Sequence, residues 1–300
     1  MEKHRKIAVV GSINTDMVVL SERIPLKGET VYGSDITYTP GGKGANQAAA
    51  MAKLGAEVEM FGCVGNDGNG RNMLENLKKN GVGTEHIGIL DGIPTGLAII
   101  TVGEQDNTIV IIAGANGRVD KRYVDGIKER LKTYDMVVLQ HEIPLDTVHY
   151  VIEFCSENGI PVILNPAPAA KVPMEIVDKV TCLTPNEHEA GLIFGNDIPT
   201  ERLLEKYPEK LVVTQGSKGV STCLKTGEVL TVPARKSQVV DTTGAGDTLN
   251  GAFALRFACG DSIHDALRYA NTAAGLSVEK FGAQSGMPSA EEVERALVSC

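Results

Sequence analysis

The chain lacks the patterns that would place it in a membrane, on nucleic acid or in an oxidising compartment. No apolar run approaches the length of a bilayer span. Behind the charged start MEKHRK the apolar segment is only Ile7–Val10, too short for the apolar region of a signal peptide. There is no long basic run and the formal net charge is -9, which argues against a nucleic acid or an anionic membrane as partner. The six cysteines, at 63, 155, 182, 223, 259 and 300, form no CxxC pair. They read as thiols of a reducing cytoplasm, not as a zinc site or a disulfide framework. The histidines have no HExxH spacing. A phosphate-cradling GxxxxGK[ST] loop is absent, because Lys43 is followed by Gly44, and GSINTD after the first apolar run lacks the GxGxxG of a nicotinamide-dinucleotide site. No repeat, low-complexity tract or linker divides the chain, so residues 1–300 are read as one domain.

What is present suits a buried α/β core: 300 residues, 42% of them hydrophobic. Lys6–Val10 reads as a central strand. Val31–Thr39, Leu97–Val102 and Thr108–Ile112 are strand-like, the last two flanking GEQDN as a hairpin turn. With no helix between them, they predict a small separate antiparallel sheet. Farther on, Met136–Leu139, Pro161–Leu164, Thr181–Thr184 and Leu211–Thr214 alternate with helical segments such as Asp146–Glu157 and Glu187–Phe194. That alternation predicts a parallel sheet covered on both faces. Gly244–Cys259, Ser262–Glu279 and Ala290–Val298 read as closing helices. The expected architecture is a three-layer α/β/α domain with a mostly parallel central sheet, plus a small β-sheet lid from about 15–40 and 95–112.

The most informative segment is DTTGAGDTLN, Asp241–Asn250. Apolar Leu249, Ala252, Phe253 and Phe257 recur behind it at helical spacing, so its glycines sit at a helix N-terminus, with free N–H groups and a positive dipole. Gly244, Ala245 and Gly246 then form an anion hole, and Asp247 follows within the first turn. A carboxylate beside an anion hole suits deprotonation of a hydroxyl during phosphoryl transfer. A lone GxGD would more simply place an acid on a helix dipole; the flanking Asp241, Thr242 and Thr243 favour the chemical reading. In GGKGANQAAAMAKLG, two glycines open a turn before the helix-favouring Ala45–Leu54, and Lys43 and Asn46 can donate to hydroxyl groups or simply be solvated. Asn14 and Asp16 follow the first strand at its carboxyl end, where α/β sheets bind ligands; taken alone, an Asx turn would be their commoner explanation. Asn186 and Glu189 share one helix face as an N-x-x-E pair, which also fits an N-cap with a first-turn acid.

These segments resemble the PfkB family of carbohydrate kinases. DTTGAGD looks like the family's C-terminal signature. GSINTDMV (Gly11–Val18), GGKGANQA (Gly41–Ala48), NPAPA (Asn165–Ala169), TPNEHEA (Thr184–Ala190) and KFGAQSGMP (Lys280–Pro288) stand in the family's order. The first three together resemble the branch that uses ATP to phosphorylate D-ribose on O5. The resemblance implies a sugar site at Asn14, Asp16, Gly42, Lys43, Gly44, Asn46 and Glu142, with Asp247 on the reacting hydroxyl. It implies that Asn186 and Glu189 lie near Mg²⁺ and the phosphates. The nucleotide would run along Thr214, Gly216, Ser217, Gly219 and Gly246 to Asn271 near adenine. It implies a K⁺ site at Asp241, Thr243, Ser277, Lys280, Gly282 and Gly286, several acting through carbonyls; Gly286 departs from the serine common there. It also implies a cytoplasmic homodimer joined through the lid. NPAPA is assigned no chemistry. Other readings are a family member acting on a nucleoside, fructose or deoxyribose, and a non-catalytic sugar sensor. The retained Gly244, Gly246 and Asp247 argue against the sensor.

Overall fold

Alternate residues of the strand Lys6–Val10 enter opposite cores. Ile7 and Val9 pack in one apolar cluster with Ala48, Met51, Phe253 and Ala270, whereas Ala8 and Val10 pack in another with Val124, Val151, Ile152 and Ile176. Met136 and Val138 join the first, Val137 and Leu139 the second. Short apolar runs become strands of this kind because the side-chain period of two feeds both faces, and helices must cover each. The result, in a computed structural model describing residues 5–103 and 106–298, is the expected three-layer arrangement. Residues 1–4 of the charged leader, Glu104 and Gln105 of the expected turn, and Ser299 and Cys300 lie outside the described residues.

Among the described residues, the central sheet has six strands in the order Cys182–Leu183, Val162–Leu164, Met136–Leu139, Lys6–Val10, Glu57–Gly65, Ile87–Leu90. Every pairing in it is parallel. Helices Lys43–Lys53, Ala245–Cys259 and Ile263–Ser277 cover one face. Lys121–Leu131, Leu145–Glu157 and Met174–Lys179 cover the other. Val212–Thr214, expected within the parallel sheet, instead opens a three-stranded antiparallel sheet with Val220–Cys223 and Val229–Val232. It adjoins the large sheet through the parallel bridges Leu183↔Leu211 and Asn186↔Thr214, and Val212 and Val213 pack in the two cores beside Cys182 and Leu183.

The separate small sheet is present, but it is mixed, not antiparallel. Its order is Gly33–Gly41, Asn14–Ser21, Gly96–Gly103, Asp106–Ile112, and its central pair, Asn14–Ser21 with Gly96–Gly103, is parallel. Asn14 and Asp16 are turn-forming types, so the sequence alone does not mark Asn14–Ser21 as a strand; tertiary pairing overrides their local preference. A parallel neighbour cannot be reached by a hairpin, and the connection between the two strands passes through Glu57–Gly65 in the large sheet.

Candidate active site

The carboxyl ends of the central strands deliver polar side chains to one place. Val10 leads into Ser12 and Asn14, Leu139 into Gln140 and Glu142, and Leu164 into Asn165. The helix Lys43–Lys53 is pressed against the first of these turns. A Cβ on Gly42 would lie 2.7 Å from the Asn14 nitrogen, and one on Gly44 would lie 2.6 Å from the Ser12 nitrogen. Only glycine permits that approach, and Gly42 also has φ 87°.

Asp247 stands in the first turn of the helix Ala245–Cys259, entered through the left-handed Gly244 (φ 76°), and is buried. Its Oδ2 accepts from Asn46 Nδ2 (2.9 Å) and its Oδ1 from Gln47 Nε2 (3.1 Å). Of the turn's backbone donors, Ala245 N–H is directed to the Thr242 carbonyl (3.2 Å). The groups left to face a ligand at this N-terminus are the N–H of Gly244, Gly246 and Asp247. A Cβ on Gly246 would meet nothing within 4 Å, so open space lies in front of it.

On one side of Asp247 are the positions expected to hold a sugar. Glu142 Oε2 accepts from Ser12 Oγ (2.6 Å) and from Lys43 N (2.9 Å), which ties two of the turns together. Asn116 grips the segment before Asn14: its Oδ1 accepts from Ile13 N (2.9 Å) and its Nδ2 donates to Asn14 Oδ1 (2.6 Å). With the Asn14 oxygen committed, its NH₂ is the end that can serve a ligand. Burial, then repulsion from Glu142 and Asp247, pushes the Asp16 carboxyl up to about 7, against the opposing charge of Lys43. For Lys43, burial works most strongly against the charge, yet Asp247, Glu142, Glu189 and Asp16 together raise its ammonium above the ordinary value. Asn14, Asp16, Lys43, Asn46, Glu142 and Asp247 are thus brought together, with Gly42 and Gly44 beneath them.

On the other side of Asp247 a cavity of about 530 Å³ is lined by the expected Thr214, Gly216, Ser217, Gly219, Gly246 and Asn271. Ala234, Val239, Ala274 and Val278 add apolar walls that the sequence does not single out. Asn271 donates to the carbonyls of Val232 (3.2 Å) and Pro233 (2.5 Å), so it also pins the strand end to its helix. Asn186 and Glu189 form a capping box: Glu189 N donates to Asn186 Oδ1 (2.8 Å) and Asn186 N to Glu189 Oε2 (2.9 Å). Burial raises the Glu189 carboxyl, although the Asn186 hydrogen bond and Lys43 work against it. The pair adjoins the cavity through the Asn186↔Thr214 bridge.

Asp241 accepts from Thr243 N (2.9 Å), Thr243 Oγ1 (2.7 Å) and Gly282 N (2.8 Å). Burial pushes its carboxyl up, but those donors prevail and hold it below the ordinary value. The loop is thereby fastened to the Ser277–Gly286 segment. A Cβ on Gly286 would lie 2.7 Å from the Ser277 carbonyl oxygen and 3.3 Å from that of Lys280, so these oxygens lean into the space a serine would fill. The Lys280 ammonium points away, to Glu292 (2.9 Å). Among the described residues, no group of three His, Cys, Asp or Glu is gathered as a metal site.

The sequence does not reveal a layer of buried amides. Gln47, Gln140, Asn165 and Gln284 are each 6% exposed or less and hydrogen-bonded in a chain behind Asp247 and Asn46. Asn165 belongs to NPAPA, to which the sequence alone assigns no chemistry. The available signal is a glutamine inside the alanine-rich helix Lys43–Lys53, where a buried amide needs partners.

A family model described as pfkB family carbohydrate kinase matches residues 4–290. The chain is 47% identical over 293 residues to a ribokinase of Bacillus subtilis, covering 98% of this chain and 99% of that protein. It is 48% identical over 294 residues to a ribokinase of Lactococcus lactis, covering 97% of each. Among solved structures, Arabidopsis thaliana ribokinase complexed with ribose and ATP superposes with a TM-score of 0.88 at 32% identity, covering 98% of this chain and 99% of that one.

Proposed function

The chain belongs to the pfkB family of carbohydrate kinases, and we propose that it transfers the γ-phosphate of ATP to the O5 hydroxyl of D-ribose, giving D-ribose 5-phosphate and ADP. The observation that carries this reading is the place of Asp247. It lies between the polar cluster of Asn14, Asp16, Lys43 and Glu142 and the cavity that reaches Gly246. Asp16 and Glu142 accept hydroxyl hydrogen bonds of the sugar, and Asn14 and Lys43 donate. Asp247 takes the O5 proton as O5 attacks the γ-phosphorus, and the bond to the β-phosphate oxygen breaks. The N–H groups of Gly244, Gly246 and Asp247 face the charge that develops on the phosphoryl oxygens. Adenine lies among Ala234, Val239, Asn271, Ala274 and Val278.

Asn186 and Glu189 would hold, through water, a Mg²⁺ that neutralises charge on the nucleotide phosphates; their capping box leaves carboxylate lone pairs available. The carbonyls of Ser277 and Lys280 that crowd Gly286, together with the oxygens of Asp241 and Thr243, would offer K⁺ oxygen ligands beside the helix N-terminus; Gly282 contributes its N–H to Asp241 and its carbonyl accepts from Gly286. A cation there supplies positive charge next to the anion hole.

The lid supports a homodimer. Register puts Met17, Val19, Ile36, Tyr38, Leu97, Ile99, Val110 and Ile112 on one face, and Asp16, Val18, Ala98, Ile100, Ile109 and Ile111 on the other. The apolar positions are thus divided between the two faces, with Ile109 and Ile111 on the Asp16 side. Ile36, Tyr38, Ile109, Val110 and Ile111 are each about half exposed or more, and Gly33–Gly41 and Asp106–Ile112 are open edges. Such a surface calls for a cover, and a second lid supplies one. Cytoplasmic residence is part of the same reading; among the described residues no helix is long and apolar enough to cross a membrane.

An ADP-release assay over D-ribose, deoxyribose, fructose, adenosine and fructose 6-phosphate tests the proposal. Highest kcat/KM on D-ribose is expected; highest on any other member of the panel overturns the substrate assignment.

A further inference from the structure

We propose that Gln47 is a positioning residue that locks the Asp247 carboxylate in its reactive orientation, an inference that rests on Asp247 being the base. Gln47 is wholly buried and has no surface to offer a substrate. Its amide is nevertheless fully used. One Nε2 proton goes to Asp247 Oδ1 (3.1 Å) and the other to Asn165 Oδ1 (3.0 Å), while its Oε1 accepts from Gln140 Nε2 (2.7 Å).

The direction of the Gln47 amide is fixed by its acceptors. The Thr184 backbone carbonyl can only accept, so Asn165 turns its Nδ2 to it (3.2 Å) and presents Oδ1 to Gln47. Facing two acceptors, Asn165 Oδ1 and the carboxylate, Gln47 must present its NH₂. That leaves its oxygen to Gln140. On the other carboxylate oxygen Asn46 is oriented in the same way: its Oδ1 accepts from Gln284 Nε2 (2.9 Å), so its Nδ2 points at Asp247 Oδ2. Each carboxylate oxygen therefore carries one donor of predetermined direction, and the carboxylate plane cannot rotate without breaking a buried bond. One lone pair on each carboxylate oxygen remains for a ligand.

Asn46 stands within the sugar cluster itself, whereas Gln47 reaches the chemistry only through Asp247. A base displaced by about 1 Å loses rate on the order of 100-fold. Gln47→Met keeps the length and removes the donor. It should lower kcat about 10–100-fold while KM for ribose and for ATP stays within about threefold, because no ground-state contact is lost. In an Asp247→Asn background the same substitution should cost nothing further, since the group it orients is gone.

The experiment is this double-variant cycle on the full-length enzyme, with thermal melting of all four proteins. Loss of kcat in the wild-type background only is the expected result. A kcat within twofold of wild type, or equal losses in both backgrounds, overturns the positioning role. Should Gln47→Met fail to fold, Gln47→Glu, which keeps the shape and removes both donor bonds of the amide, takes its place in the cycle, and the same results support or overturn the role. An Asp247→Asn enzyme of nearly normal rate is a separate outcome; it removes the base assignment itself and the inference with it.

Discussion

Affinity for ribose should rise about tenfold between about pH 6 and about pH 8. The cause is Asp16, whose carboxyl is pushed up to about 7 by burial first and then by Glu142 and Asp247, with Lys43 opposing. The ionised carboxylate accepts hydrogen bonds from two sugar hydroxyls; the protonated acid gives up one of those acceptor positions. With a midpoint near 7, the ionised fraction is roughly 0.1 at about pH 6 and 0.9 at about pH 8, and the apparent Kd scales inversely with that fraction. Near pH 7, binding should release about half a proton. Titration calorimetry with ribose, in two buffers of different ionisation enthalpy, reads both quantities. Stability moves the other way. Because the folded value lies above that of an unfolded Asp, the native state holds an extra proton between about pH 4 and about pH 7, and Asp16's contribution to stability is lost as pH rises through that window. Unfolding therefore cannot imitate the gain in affinity. Asp16→Asn should flatten the profile. A wild-type affinity that is level across the range, with no proton release, refutes the reasoning.

Gly244→Ala should destabilise the protein by about 1–2 kcal/mol and abolish most activity. Its φ is 76°, and the new Cβ would stand 2.9 Å from Ala283; thermal melting and ADP release check both effects. Activity should be higher in K⁺ than in Na⁺, and equal rates in K⁺, Na⁺ and a bulky organic cation would count against the oxygen cradle at Gly286. Light scattering at micromolar concentration should give twice the chain mass; a value near 31.9 kDa removes the lid dimer.

The parts of the molecule that are legible in the sequence are those governed by local pattern. Lys6–Val10, Met136–Leu139 and the helix behind Asp247 follow from apolar period and from glycines at a helix start, and the structure has them within a residue or so. Glu57–Gly65 and Asn14–Ser21 are not legible as strands, because their strand identity comes from partners far along the chain, Lys6–Val10 and Gly96–Gly103. The chemistry-bearing residues Asn14, Asp16, Lys43, Asn46, Glu142 and Asp247 follow from motifs, and the fold gathers them. The amides that orient them do not. Gln140, Asn165 and Gln284 have no pattern of their own; their roles arise from which carbonyl or carboxylate each happens to face. The same limit applies to Gly286, whose missing side chain makes sense only beside the Ser277 and Lys280 carbonyls.

The central claim is that Asp247 deprotonates the sugar hydroxyl, and steady-state turnover of Asp247→Asn with ribose and ATP tests it most directly. Asparagine keeps the shape, but its single carbonyl oxygen can accept from only one of Asn46 Nδ2 and Gln47 Nε2, so the variant should stay folded and lose about 1–3 kcal/mol of stability. General-base assistance is worth about 10²–10⁴-fold, and kcat should fall by that amount. A folded variant that retains most of the wild-type rate would contradict the account.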